Sequence, residues 1–287
     1  MLIFAHRGLD LDRSSPPHEN SLAAFELAAE RGWSIELDVQ MEKKGELLIA
    51  HDSHMSRWTR GQDPRGWREV DRAETAEMEA RLGRLGRLSD VLELCRRYGG
   101  LHVALHLKGS NHDEEFIAQL MKELRAWKSL QSRLLVFDLS PHIAQTLRDE
   151  FSDIGLALSV ADEFDVSRYQ AVTGGTLYTV DQALAARSCC DWVWLDEWNR
   201  KGPCETRKAL YSEDRVSALR DAGYKIAIVS PELHRLEGHE DAVSDNLLEA
   251  RWREICQWRC DAICTDYPAR IAQLARELPG PTGLVSN

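Results

Sequence analysis

The sequence lacks the features that would direct a protein into a membrane or onto nucleic acid. Its 287 residues begin with only five apolar residues before a polar pair, too few for a signal-peptide core or a spanning helix. Lys and Arg total 36 against 47 Asp and Glu, a net charge of −11, and they form no long basic run. We therefore predict a cytoplasmic protein that binds no nucleic acid, makes no stable membrane insertion and acts on soluble small molecules.

Disulfide and linker patterns are also missing. The seven cysteines are odd in number and contain no CxxC pair, so a disulfide framework and a zinc site are both disfavoured, and buried thiols are expected instead. No stretch rich in Pro, Gly and Ser divides the chain. This predicts one domain over residues 1–278, followed by a frayed tail over 279–287. Nothing in the sequence indicates the oligomeric state.

What the sequence has is a regular alternation of short apolar runs with amphipathic stretches, which is typical of βα units that build a parallel sheet. Eight strands and eight helices in this length predict an α/β fold, a closed (β/α)₈ TIM barrel. The expected strands are Leu2–Ala5, Ser34–Asp38, Leu101–Lys108, Leu134–Asp138, Gly155–Val160, Trp192–Asp196, Lys225–Val229 and Ala262–Thr265. A small β-hairpin over Val39–Ala50 and an irregular insertion over Ser53–Leu88 are expected at the catalytic face.

Ionisable residues end several of these strands, at the face where such barrels carry their chemistry. In the second strand Glu36 and Asp38 alternate with Ile35, Leu37 and Val39, so both carboxylates point to one side. Two carboxylates this close favour a cation between them, and Mg²⁺ or Ca²⁺ prefers oxygen ligands. Paired surface carboxylates on an edge strand are the alternative.

Two histidines are expected at the same mouth. His6 ends the first strand. In the hairpin, a turn centred between Lys44 and Gly45 would return His51 beside Asp38. Two imidazoles that converge on paired carboxylates indicate acid–base chemistry more strongly than either histidine alone.

The third strand adds a positive charge to this mouth. Its odd positions are aliphatic from 101 to 107, which leaves His106 and Lys108 on the barrel face. Lys108 offers a point charge to a phosphate oxygen, and Arg7 offers a planar fork from the first strand. Together with a cation they suit an anionic phosphoryl substrate, whereas Lys108 in a purely structural role would balance Glu36 or Asp38.

Five short motifs in order resemble the glycerophosphodiester phosphodiesterases. They are His6-Arg7-Gly8, Glu19-Asn20-Ser21, Glu36-Leu37-Asp38-Val39, His51-Asp52 with Arg57 beyond it, and Thr265-Asp266-Tyr267-Pro268. The resemblance implies a barrel phosphodiesterase in which Glu36 and Asp38 bind a divalent cation. It also implies acid and base roles for His6 and His51, and substrate contacts for Arg7, Lys108, Glu19 and Asn20.

One position departs from the family pattern, in which the third strand usually carries Glu-x-Lys with the Glu as a metal ligand. Here the motif is His106-Leu107-Lys108. An imidazole at that position should weaken Mg²⁺ or Ca²⁺ relative to Mn²⁺, Co²⁺ or Zn²⁺. Three interpretations stay open: a metal-assisted hydrolase in which His106 is a ligand, a metal-independent lyase that releases a cyclic phosphate, and a non-catalytic phosphate-ester sensor.

Aromatic residues cluster later in the chain. Trp192 and Trp194 alternate along a predicted strand, and Trp198 follows it. Packing in the core and at the rim is the expected role, with a stacking platform for substrate as the alternative.

Overall fold

The computed structural model describes residues 1–82, 85–200 and 210–278. Eight parallel strands form a closed ring, because β1 pairs with both β2 and β10. The prediction of a TIM barrel is confirmed. The ring strands are β1 (Leu2–Ala5), β2 (Ser34–Met41), β4 (Val103–His106), β5 (Leu134–Phe137), β6 (Gly155–Val160), β8 (Trp192–Leu195), β9 (Lys225–Val229) and β10 (Ala262–Thr265).

Two short strands lie outside the ring: β3 (Leu47–Ile49) pairs antiparallel with β2, and β7 (Leu177–Tyr178) extends β6. The α-helices are α1 (Leu22–Glu30), α2 (Arg72–Leu82), α3 (Leu88–Arg97), α4 (Glu114–Ala126), α5 (Pro141–Glu150), α6 (Glu163–Thr173), α7 (Val180–Ala185), α8 (Glu213–Asp221), α9 (Asp245–Gln257) and α10 (Pro268–Glu277). None of the helices in these described ranges is both long and apolar enough to cross a bilayer.

Strand alternation divides the apolar residues into two cores. Ile35, Leu37 and Val39 face outward and are fully buried against the surrounding helices. The interior of the barrel is filled from the other strand faces by Phe4, Ala104, Leu135, Phe137, Ala157, Trp192, Trp194, Ala227, Val229, Ala262 and Cys264. This apolar plug closes the barrel below the mouth, so polar side chains at the carboxyl ends of the strands lie above a layer of apolar side chains.

Three expectations about the elements need correction. The hairpin register is shifted by one residue from the prediction, which placed His51 opposite Asp38. Val39 pairs with Ile49, and the amide of Ala50 donates to the carbonyl of Asp38 at 3.1 Å. The turn lies between Met41 and Leu47 and includes Gly45, which has a φ of 90°; it is centred on Lys44 and not between Lys44 and Gly45.

The segment Ser53–Leu88 is not an irregular excursion, because it contains α2 and has a small core of its own. Leu48, Met55, Trp67, Val70 and Leu85 are buried together there. Few strong periodic signals mark this segment because α2 is largely polar; from this helix, Met78 packs against the small core.

The long interval between the fifth and sixth predicted barrel strands holds α6 and β7, which the sequence analysis did not predict. Asp162 caps α6 by accepting from the amide of Phe164, and Gly174 ends it with a φ of 66°. The predicted single domain over 1–278 stays a prediction, and the predicted frayed tail over 279–287 lies outside the described residues.

Candidate active site at the barrel mouth

The His6-Arg7-Gly8 turn directly follows β1 and places two of the predicted site residues at the barrel mouth. Arg7 has a φ of 52° and Gly8 a φ of 77°, both in the left-handed region. A Cβ at position 8 would lie 2.8 Å from the Phe25 ring and 2.9 Å from Ala24, so glycine is required for α1 to pack against the turn. The turn directs the amide of Arg7 at Glu36 Oε2, 3.2 Å away.

Asp38 is the electrostatic centre of the mouth. Its side chain is 1% exposed. Arg7 Nε lies 3.2 Å from its Oδ2, and Lys108 Nζ and His106 Nδ1 lie 3.1 and 3.0 Å from its Oδ1. The Asn20 amide donates to Oδ2 at 3.1 Å. Burial alone would favour the neutral acid, but Lys108, His106 and Arg7 outweigh it and hold the pKa of Asp38 well below its ordinary value.

Glu36 behaves in the opposite way although it shares the same strand face. It is 3% exposed. Burial and the adjacent charge of Asp38 raise its pKa, against the opposing influence of His6, His106 and Arg7. Two neighbouring carboxylates with pKa values displaced in opposite directions are typical of functional sites.

Each of the two predicted histidines is held by an aspartate. His6 Nδ1 lies 2.9 Å from Asp266 Oδ1, and His51 Nδ1 lies 2.5 Å from Asp52 Oδ1. A carboxylate on Nδ1 fixes the orientation of an imidazole and leaves Nε2 as the nitrogen that can exchange a proton with a ligand. Burial, Lys108 and Arg7 lower the pKa of His51 to about 4, even though Asp38 and Asp52 act in the other direction.

The insertion after the hairpin supports His51. The indole of Trp67 donates to the carbonyl of Asp52 at 2.8 Å, and the amide of Trp67 donates to Ser53. Arg57 hydrogen-bonds to Glu19 and has its Nε 3.6 Å from Asp52 Oδ2. The small core around Trp67 therefore anchors the segment that carries His51 to the barrel.

His106 lies between two carboxylates. Its Nδ1 faces Asp38, and its Nε2 lies 3.3 Å from Asp138 Oδ2. Burial and Lys108 lower its pKa, but the hydrogen bonds to Asp138 and Asp38 prevail and raise it to about 9. The imidazole thus acts as a positive counter-charge here.

Glu36, Asp38 and His106 form a group that could hold a metal ion, the one such group of His, Cys, Asp and Glu among the described residues. One ligand atom from each lies within 4.8 Å of the other two. Metal–ligand bonds of about 2.0–2.4 Å place neighbouring donors roughly 3–4.5 Å apart, so the spacing fits a divalent cation. Two carboxylates and one imidazole suit Mn²⁺, Co²⁺ or Zn²⁺, and a cation at Nδ1 would replace the proton that this nitrogen shares with Asp38.

The remaining predicted residues fall in the same place. Glu19 accepts from Arg7 Nη1 at 3.0 Å; burial opposes its ionisation, but Arg7 and Arg57 keep its pKa below the ordinary value. Asn20 has a φ of 55°, in the left-handed region, and its own backbone amide donates to the carbonyl of Arg7. In this structure Glu19 and Asn20 hold Arg7 and Asp38, and their predicted contact with substrate stays a prediction.

Sequence reasoning assigned no role to three acidic residues that support the site. Asp266 holds His6, and Asp138 contacts His106. Glu232 is buried and accepts from Thr265 Oγ1 at 2.5 Å and from the amide of Asp266 at 3.1 Å. Asp138 and Asp266 each lie directly at the end of a barrel strand, which is the signal that could have identified them.

Of the three tryptophans, Trp192 and Trp194 are confirmed as core residues inside the barrel. Trp198 lies at the rim, where its ring stacks on Tyr169 at 4.7 Å between centroids and lies 5.3 Å from the ring of His234. The alternative role as a stacking platform for substrate stays a prediction.

The fold and the site define a class. It is a (β/α)₈-barrel protein that has, at one mouth, paired carboxylates, two imidazoles each hydrogen-bonded to an aspartate, and the cationic side chains of Arg7 and Lys108. The model of the glycerophosphoryl diester phosphodiesterase family matches residues 6–270. The chain belongs to this family, as its sequence motifs predicted.

Individual relatives agree over shorter stretches. A glycerophosphodiester phosphodiesterase of Bacillus altitudinis is 31% identical over 144 residues, which are 47% of this chain and 56% of the relative. One from Caldanaerobacter subterraneus subsp. tengcongensis is 47% identical over 62 residues, 21% of this chain and 24% of the relative. The chain thus matches about half, or less, of the length of these curated relatives.

Solved structures share the fold along almost the whole chain. A putative glycerophosphodiester phosphodiesterase from Galdieria sulphuraria superposes with a TM-score of 0.69 at 17% identity, covering 96% of this chain and 97% of that one. An Oleispira antarctica phosphodiesterase, solved with the product sn-glycerol-3-phosphate, gives a TM-score of 0.64 at 20% identity, covering 96% and 97%. At such identities the likeness shows the barrel alone.

Proposed function

We propose that the protein is a phosphoric diester hydrolase that cleaves glycerophosphodiesters with the help of a divalent cation. The observation that carries the proposal is the convergence of His6, His51, Glu36 and Asp38 at one mouth in a chain of this family. The product found in the Oleispira antarctica neighbour, sn-glycerol-3-phosphate, supports a glycerol phosphate ester as the substrate class. Such a reaction belongs to glycerol and lipid head-group metabolism, and a cytoplasmic location is part of the proposal.

Glu36, Asp38 and His106 would hold the cation, which supplies positive charge for the phosphoryl oxygens as negative charge develops on them. The presence of an imidazole favours Mn²⁺, Co²⁺ or Zn²⁺ over the Mg²⁺ or Ca²⁺ implied by the family resemblance. Both kinds of ion are within the donor chemistry of the group.

Arg7 and Lys108 would bind the phosphate. Both side chains are held at Asp38, so their positions are fixed before substrate arrives and little side-chain entropy is lost on binding. A phosphodiester monoanion would take hydrogen bonds from the guanidinium fork of Arg7 and from the ammonium of Lys108. Glu19 orients Arg7, and with Asn20 it completes the proposed substrate-binding set.

We assign the first base to His51, because its low pKa keeps the ring neutral at pH 7. Nε2 of His51 would take the proton from the neighbouring glycerol hydroxyl, whose oxygen then bonds to phosphorus. The bond from phosphorus to the leaving alcohol breaks as His6 donates a proton from Nε2 to the departing oxygen. Water then opens the cyclic phosphate with the two roles reversed.

The test is hydrolysis of glycerophosphocholine, glycerophosphoethanolamine and a chromogenic diester, with Mg²⁺, Ca²⁺, Mn²⁺, Co²⁺ or Zn²⁺ supplied in turn. We expect turnover with at least one ion and its loss in His51→Gln. His102→Gln is the matched control, because His102 directly precedes the first residue of β4, and His106 is the last residue of that strand. A folded protein that turns over none of these diesters with any ion would contradict the proposal.

One observation favours a second candidate. Both ring nitrogens of His106 already face carboxylates, an arrangement that supports phosphate binding without a metal, either in a lyase that releases a cyclic phosphate or in a non-catalytic sensor. Chelator separates the candidates: activity that survives it, with a cyclic product in phosphorus NMR, supports the lyase. Ligand binding that survives chelator without any turnover supports the sensor.

A further inference from the structure

The geometry points to Asp138 as a positioning residue for metal binding: it holds His106 so that Nδ1 faces Glu36 and Asp38, and it supplies through the ring a negative charge that the imidazole itself lacks. This inference rests on the proposed function, because it concerns the same cation. It assigns a role to a carboxylate that the motifs of the mouth do not include.

The plane of the His106 ring is fixed by stacking. The ring lies 4.6 Å from the ring of Phe137 at an interplanar angle of 14°, and Phe137 in turn stacks on Trp194 at 3.9 Å and 11°. These aromatic rings belong to the apolar plug of the barrel. With its plane fixed, the imidazole can change only the direction in which its two nitrogens point within that plane.

The direction within the plane is set by two carboxylates, one on each ring nitrogen. Asp38 Oδ1 lies 3.0 Å from Nδ1, and Asp138 Oδ2 lies 3.3 Å from Nε2. Asp38 belongs to the cluster of possible metal ligands. Asp138 directly follows the next barrel strand, β5, and is separated from that cluster by the ring itself.

The backbone presents Asp138 in an unusual way. It follows the last residue of β5 with a φ of 65°, a left-handed conformation that is uncommon for residues other than Gly, Asn and Asp. Its side chain is 9% exposed. A buried acidic group held in this conformation faces His106 instead of the solvent.

The chemistry follows from the tautomers of imidazole. A metal at Nδ1 needs the lone pair of that nitrogen, so the remaining proton must sit on Nε2. A carboxylate on Nε2 stabilises this tautomer, raises the basicity of the ligating nitrogen and adds negative charge. Without Asp138, the tautomer with its proton on Nδ1 donates to Asp38 and blocks coordination.

The test is Co²⁺ binding by the purified full chain, measured by titration calorimetry and by visible absorption, with no substrate present. Asp138→Asn retains an acceptor for Nε2 but removes the charge, and Asp138→Gly removes the side chain without backbone strain at positive φ. We expect the Kd for Co²⁺ to rise about 10–100-fold in Asp138→Asn and further in Asp138→Gly. The spectrum of Asp138→Gly should approach that of His106→Gln, in which the nitrogen ligand is missing.

A double-mutant cycle separates positioning from simple charge. Asp138→Asn should change the Kd by less than about threefold in a His106→Gln background, because the ring that transmits its effect is absent. Asp196→Asn is the matched control: it changes a histidine–aspartate pair at the mouth that does not include a proposed metal ligand, Asp196 with His234, and should leave Co²⁺ affinity unchanged. Thermal unfolding in chelator confirms that each variant is folded.

An unchanged Kd in Asp138→Asn overturns the inference, as does an equal effect in both backgrounds or a wild-type protein that binds no Co²⁺. Failure of the proposed function is distinguishable. A protein that binds Co²⁺ in an Asp138-dependent way but hydrolyses no diester contradicts the function and supports the inference. Hydrolysis combined with a Kd that ignores Asp138 contradicts the inference alone.

Discussion

Two sides of the barrel mouth use the same positions in the fold for different electrostatic arrangements. On the phosphate side, formed by the ends of β1, β2 and β4, the single carboxylate of Asp38 is shared by Arg7, Lys108 and His106. On the aromatic side, formed by the ends of β8 and β9 with α6, Asp196 pairs with His234 at 2.6 Å, and Trp198 lies between His234 and Tyr169.

The difference teaches which side can respond to a ligand. Several cationic groups around one carboxylate can each exchange that contact for a phosphate oxygen or give way to a metal ion, while Asp38 stays compensated by the others. His234 faces Asp196 through Nε2 and has Glu237 3.8 Å from Nδ1, and releasing Asp196 or His234 leaves a partly buried charge with less compensation than at Asp38. The phosphate side is therefore suited to chemistry and the aromatic side to stability and shape.

The largest expected effect is that of Asp38→Asn. Removing this carboxylate takes away a proposed metal ligand and the anchor of Arg7 and Lys108, so kcat/KM for glycerophosphocholine should fall by about 10³-fold or more. Initial rates at saturating cation give the measurement. Asp196→Asn, on the aromatic side, should lose less than about tenfold; equal losses in the two variants would remove the distinction between the sides.

The next largest effect is that of His51→Gln, which removes the proposed base. We expect kcat to fall by about 10²–10⁴-fold, the usual contribution of a general base. Single-turnover measurements separate the chemical step from product release. Retention of activity within tenfold, in a variant with wild-type thermal stability, would show that His51 is not the base.

The pH profile sharpens the assignment. Burial, Lys108 and Arg7 lower the pKa of His51 to about 4, so the ring stays unprotonated as pH falls from 7 towards 5. The acid limb of log kcat/KM should therefore lie near pH 4 instead of near 6.5. Because the hydrogen bond to Asp52 raises this pKa, Asp52→Asn should move the limb to still lower pH. A shift to higher pH would be inconsistent with the contacts.

On the aromatic side the expected effect is on stability. Burial lowers the pKa of His234, but Asp196 and Glu237 prevail and raise it to about 9. A histidine whose pKa is raised on folding stabilises the folded state fully below its unfolded value of about 6.5, and this contribution is lost as pH rises through 9. His234→Gln should lower the free energy of unfolding at pH 6 by on the order of 2–3 kcal/mol.

The same comparison at pH 10 is the control for His234→Gln, because wild type and variant should then differ little. Denaturant unfolding at the two pH values gives both numbers. A difference that does not shrink as pH rises would mean that His234 acts through packing and not through its charge.

The smallest effect is expected for Trp198→Ala. Loss of its stacking on Tyr169 and of its tilted contact with the His234 ring should cost about 0.5–1.5 kcal/mol of stability and leave kcat with a small diester within about threefold. Thermal unfolding and steady-state kinetics on one preparation give both values. A large increase in KM for diesters with bulky head groups would instead make the rim surface part of the substrate site.

Much of the fold and most of the phosphate side followed from local patterns. Alternation in β2 places Glu36 and Asp38 on one face whatever else the chain does, and parallel strands bring their carboxyl ends to one edge. The register of the hairpin could not be predicted from local patterns, because pairings that differ by one residue use the same residues in the turn. Helix α6 was missed because its sequence lacks a distinct apolar face.

Strand ends mark Asp138 and Asp266 as candidates, but the histidine that each of them contacts could not be assigned from sequence. Asp52 adjoins His51 in the chain, but Asp266 is 260 residues from His6, and Asp138 is 32 residues from His106. The separation of these residues along the chain does not indicate which aspartate contacts which ring nitrogen, because the closed barrel brings them together.

The amino-acid sequence by itself determined the barrel, the family and the paired carboxylates of the mouth, because strand periodicity and short motifs are properties of neighbours along the chain. Only the tertiary structure decided that His106 lies between Asp38 and Asp138, that His6 and His51 each have an aspartate at Nδ1, and that the two sides of the mouth differ. Hydrogen bonds and charge interactions depend on distances of a few ångströms, and the closure of the barrel sets those distances between residues far apart in the chain.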